Sequence, residues 1–203
     1  MSAFETPYPD YDVLDKRDSP SWNDQTRETV RKRLDEVPQR HFLSAEQWAL
    51  LEAIVDRLIP QPEREEPVPI VPWIDDRLHK DRRHGYRYAD LPPMREACTT
   101  ALDAVAAECR ERFATRFEQL GADEQDAYLT DLQNGRVDGR FWNDLSVERF
   151  FSELLLKDVV EIYYSHPAAW SEIGFGGPAA PRGYVRLGFD ERDPWEAEAR
   201  RDV

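Results

Sequence analysis

The residue types best suited to chemistry gather near the C-terminus. Tyr163-Tyr164-Ser165-His166-Pro167 is followed by Trp170-Ser171-Glu172 and then by Gly174-Phe175-Gly176-Gly177-Pro178. A glycine-rich loop can cradle a phosphate, but the dinucleotide pattern G-x-G-x-x-G asks for glycine where the chain has Ala179. It also asks for a preceding strand, and the preceding segment reads as a helix. A nucleophilic serine needs a sharp strand-to-helix elbow, and neither Ser165-His166 nor Ser171-Glu172 lies in a G-x-S-x-G frame. An acid–base pair of His166 and Glu172 remains as a rival reading. Standing before Pro167, His166 reads more simply as the end of a helix, where an imidazole suits the dipole.

Metal chemistry has little to draw on. The histidines are His41, His79, His84 and His166. Asp75 and His79 share a helical face at i, i+4, but no third ligand follows at a useful spacing, so they read as an exposed, salt-linked pair. Cys98 and Cys109 fall in one helix, roughly 16 Å apart at the helical rise of ~1.5 Å per residue, too far for a disulfide. Two thiols also fall short of the four that an iron–sulfur cluster requires. The expectation is a chain with no catalytic residue, no cofactor and no metal of its own.

The elements that carry these residues are helical. Ser21 can cap a helix to about Val37. Ser44 with Gln47 forms a capping box ahead of Trp48, Leu51, Val55 and Leu58, and Pro60 ends that helix. Five prolines between residues 60 and 72 make a polyproline-like connector, with Pro72 in the first turn of a short helix bearing Ile74 and Leu78. The longest apolar stripe, Met94 through Phe117, predicts a helix over 93–119. Gly121 ends it, and Asp123 caps a helix bearing Leu129 and Leu132. A last helix starts at Ser146 and is closed by Pro167. This is an all-α chain, a bundle of about six helices, with Trp48 and Phe113 in its core.

Both ends depart from that pattern. Residues 1–20 mix Pro7, Pro9 and Pro20 with acids and with Phe4, Tyr8 and Tyr11, which predicts an extended acidic arm. Residues 168–203 hold five of the nine glycines between Gly174 and Gly188, among Trp170, Phe175, Tyr184, Phe189 and Trp195. Such a segment either folds back on its own bundle or buries its aromatics in another protein. The helical domain then spans 21–167. The net charge of −14 leaves no basic stripe for nucleic acid. No apolar run reaches the ~18 residues of a membrane span, and Met1 to Asp18 lacks the features of a signal peptide, so a cytoplasmic protein is expected.

The stretch from Tyr163 to Pro178, continued by Arg182-Gly183-Tyr184-Val185-Arg186-Leu187-Gly188-Phe189, resembles the C-terminal signature of the gluconate 2-dehydrogenase subunit 3 family. Phe42-Leu43-Ser44 through Trp48, Leu51, Asp56, Ile59 and Pro60 is similar to that family's opening helix. The resemblance implies a small, cofactor-free partner of a larger FAD-dependent oxidoreductase of the glucose–methanol–choline type, which oxidises a carbohydrate hydroxyl. Many members carry a twin-arginine export signal. Here Arg82-Arg83 is internal, with no apolar run after it. Pro178 stands where the family often has asparagine, and Tyr184 where it often has tryptophan.

Interface anchors tend to be Trp, Tyr and Arg, and glycine lets two backbones approach closely. The expected partner-binding set is therefore Tyr164, His166, Trp170, Glu172, Phe175, Gly176, Gly177, Pro178, Arg182, Gly183, Tyr184 and Arg186. The function read from the sequence is a non-catalytic subunit that stabilises a flavoprotein. The alternatives are a chaperone or regulator with several clients, and the self-contained enzyme built on His166 and Glu172.

Overall fold

A computed structural model describes residues 6–61, 64–82, 88–178 and 188–200. The described residues are all helical, with seven α-helices and no strand, in agreement with the expected class. The chain divides into two compact units. One is residues 38–162; the other joins residues 1–37 to residues 163–203.

The 38–162 unit is a bundle built on α2 (Ala45–Leu58), which packs against α3 (Ile70–His79), α4 (Met94–Phe113) and α5 (Ala122–Gln133). The capping box forms as expected: the Gln47 amide donates to Ser44 Oγ and the Ser44 amide to Gln47 Oε1. Leu51 and Ile54 of α2 meet Ile74 and Leu78 of α3 and Leu102 and Val105 of α4 across an apolar interior. Trp48 and Phe113, expected in this core, are only half-buried. Indole Nε1 of Trp48 bonds Glu52 at the surface instead. α4 stops at Phe113 because Ala114 turns into the left-handed region at φ 56°. Gly121, expected to end a helix, is the N-cap of α5, and its amide donates to Glu124.

Two buried carboxylates organise this unit. Asp75 is fully buried and accepts from three successive backbone amides, His41 at 2.6 Å, Phe42 at 3.1 Å and Leu43 at 2.7 Å. It is a clasp between α3 and the 38–43 segment, not half of an exposed salt-linked pair. A carboxylate bonded by three amide donors is stable without a cation beside it. Glu108 of α4 accepts from Tyr128 Oη, Trp142 Nε1 and the Asp138 amide, each at 3.0 Å.

Helix α6 covers 147–163 as Val147–Arg149, a π-helical stretch Phe150–Leu155, and Leu156–Tyr163. The wider i→i+5 turn carries the consecutive residues Phe150 and Phe151, both buried.

The second unit contains a 3-10 turn Val13–Lys16, α1 (Asp24–Asp35) and α7 (Pro167–Glu172). Asn23, not Ser21, caps α1 by accepting from the Thr26 amide. Pro167 opens a helix instead of closing one, which matches proline's suitability at N1. Val13, Trp22, Val30 and Trp170 form this unit's core, flanked by Tyr11, Leu14 and Leu34. The N-terminal segment expected as an extended arm thus contributes a fully buried valine. The two chain ends also meet, since the Arg200 amide donates to Pro7 O at 2.8 Å.

Candidate partner-binding site

Helix α7 and its cap place three of the expected residues, His166, Trp170 and Glu172. His166 is its N-cap, with Nδ1 accepting from the Ala168 amide at 3.3 Å. The helix lasts under two turns, so Trp170 and Glu172 leave on different sides. Trp170 is buried, 3% exposed. Its Nε1 donates to Tyr164 O at 2.7 Å, and Phe175 meets its ring edge-on with centroids 5.8 Å apart. Glu172 accepts from Tyr163 Oη at 2.8 Å, and its carbonyl accepts from Thr6 Oγ1 at 2.6 Å.

The Gly174–Gly177 turn rests on the N-terminal segment of its own unit. A Cβ on Gly174, at φ 66°, would lie 2.7 Å from the Tyr8 ring. A Cβ on Gly177, at φ 77°, would lie 3.3 Å from both Trp170 and Trp22. Lys16 Nζ donates to Gly176 O at 2.5 Å. Lys16 is only 4% exposed, and burial pulls its pKa below the usual lysine value. Ser171 Oγ accepts from the Val13 amide at 3.0 Å and donates to Asp12. From α1, the Arg33 guanidinium lies 5.8 Å from the Trp170 ring centroid and donates to Ser165 O; burial lowers its pKa.

This geometry sorts the expected contacts. Trp170 and the glycines of the turn are occupied by the chain's own residues, so the close approach that glycine permits is used within the chain. The side chains left outward on this segment are Tyr164, Ile173 and Phe175, at 46%, 42% and 41% exposure, with Pro178 beside them also exposed. Tyr164 is held edge-on against Tyr163 with centroids 5.1 Å apart. Arg182, Gly183, Tyr184 and Arg186 lie outside the described residues. Reading the sequence missed Thr6, Tyr8, Lys16, Trp22 and Arg33, which seat the turn from more than 130 residues away. Only the aromatics among the N-terminal prolines hinted at them.

A family model described as gluconate 2-dehydrogenase subunit 3 matches residues 45–177. That span is well over half of the 203 residues and runs through the double-glycine turn. The chain belongs to the gluconate 2-dehydrogenase subunit 3 family. No curated protein and no solved structure matches it at a significant level. Within this family member the matched segment takes in Tyr164, His166, Trp170, Glu172, Phe175, Gly176 and Gly177. The N-terminal segment that seats them lies outside it. Among the described residues no three His, Cys, Asp or Glu side chains converge as metal ligands, and no helix is long and apolar enough to cross a membrane.

Proposed function

We propose that this chain is a non-catalytic accessory subunit that binds and stabilises a larger FAD-dependent oxidoreductase acting on a carbohydrate hydroxyl. The observation that carries the reading is the family match, which ends on the turn beside the exposed Phe175. Tyr164, Ile173 and Phe175 offer the partner exposed apolar side chains, with Phe175 held edge-on by Trp170. Aromatic anchors on a rigid base bind at low entropic cost. The FAD belongs to the partner, and this chain supplies no residue to it. A cytoplasmic complex agrees with two cysteines that are both unpaired.

Affinity capture with the full chain from its native source tests this. The expected result is one dominant protein near 1:1 that carries a flavin and oxidises a sugar, polyol or sugar acid. Several unrelated clients would favour a chaperone instead. Sugar oxidation by the isolated chain with an artificial electron acceptor would show it to be the enzyme.

A further inference from the structure

We infer that His41 and His79 form a surface site for one divalent transition-metal ion of borderline softness, Zn2+ or Cu2+. The two residues are 38 positions apart in sequence, yet their ring centroids lie 5.0 Å apart with 36° between the ring planes. Imidazole nitrogens bind such ions at about 2.0–2.1 Å, which puts each ring centroid about 3.2 Å from the metal. Ligand angles between about 90° and 109° then require centroid separations of about 4.5–5.2 Å. The observed spacing falls inside that window. Both residues are exposed, so an ion has access and water can complete its coordination.

The backbone holds the pair in place before any ion arrives. The His41 amide donates to Asp75 at 2.6 Å, and Asp75 stands one helical turn before His79 on α3. Arg95 Nη2 donates to His79 O at 2.5 Å. Each histidine is therefore anchored through its main chain, which leaves both rings to act as ligands.

Two arginines are near the site: Arg40 donates to Leu43 O at 3.4 Å, and the Arg95 guanidinium lies 5.5 Å from the Phe42 ring centroid with its Nε 4.0 Å from Asp81. Lys80 is paired with Asp76 at 2.6 Å. The wider field of a chain at −14 attracts cations. Imidazole suits zinc and copper, whereas magnesium and calcium prefer oxygen ligands. With two protein ligands the affinity is far below that of a four-ligand structural zinc site. A bound ion would staple the 38–43 segment to α3.

The test uses the untagged full chain, stripped with EDTA and titrated at pH 7.5. Zn2+ is followed by calorimetry and Cu2+ by electron paramagnetic resonance. The expected result is one ion per chain, with copper hyperfine structure from two imidazole nitrogens. The His41→Ala and His79→Ala variants each weaken binding tenfold or more, and the double variant loses little beyond either one. Unchanged circular dichroism in the three variants assigns the loss to the ligands and not to unfolding. Equal binding by the wild type and the double variant would overturn the site, as would copper held through a single nitrogen. These outcomes do not depend on whether the chain docks a flavoprotein.

Discussion

Trp170 and Phe175 touch each other and are expected to fail in opposite ways. Trp170 is 3% exposed and closes the core formed with Val13, Trp22 and Val30. Trp170→Ala should cost about 3–5 kcal/mol and lower the melting temperature of the free chain. Phe175 is 41% exposed. Phe175→Ala should leave the melting temperature nearly unchanged and weaken partner binding at least tenfold, about 1.4 kcal/mol. Thermal melts and a binding titration separate the two, and a stable Trp170→Ala variant would show that the tryptophan is not a core residue. Sequence reading places Trp170 at an interface because glycine and proline surround it. The residues that bury it lie more than 130 positions away, beyond any local pattern. His41 was equally opaque: its neighbour across space, His79, is set by the Asp75 clasp, which no spacing rule foretells.

At the scale of elements, the helices were legible wherever the signal was local. The Ser44–Gln47 box and Pro72 in the first turn of α3 were both read correctly from neighbours within a few residues. The π-helical stretch in α6 and the left-handed Ala114 were not, because each answers to packing instead of composition. The link between α4 and α5 shows how such packing is held. Asp131 receives Arg112 at 2.8 Å and Arg136 at 3.0 Å, and those hydrogen bonds hold its carboxyl below the usual aspartate range. A depressed folded-state pKa contributes stability that is present above the unfolded value of about 3.9 and is lost as pH falls through the folded value. Asp131→Asn should therefore be less stable than wild type at pH 7, and the gap should narrow as the pH falls below the unfolded value of about 3.9. Denaturant melts across that range check it; a gap that stays constant with pH would mean the ion pairs are not its source.

For the whole molecule, the all-helical class followed from periodicity alone, whereas the way the chain divides did not. Composition splits it into arm, bundle and arm. The structure instead gathers both ends into one unit of their own. Hydrogen exchange on the free chain should reflect this: amides in Val13–Lys16 and in residues 170–177 should exchange slowly without any partner, as expected of a packed core. Rapid exchange there, with protection gained only on binding a flavoprotein, would restore the picture of loose arms.

The hydrogen bond between Arg200 and Pro7 also bears on how the polypeptide is made. A ribosome releases the chain from its N-terminus onward, and domains generally fold as units as they emerge. Residues 38–162 can collapse as soon as they are out, but Val13 and Trp22 emerge before that unit and Trp170 after it. The synthesis of the whole 38–162 unit passes with those side chains uncovered. Closing a loop of that length is entropically slow to reward, although each doubling of length adds only about 0.6 kcal/mol. A nascent chain stalled or clipped before residue 170 would therefore display a tryptophan and a valine that the folded unit hides.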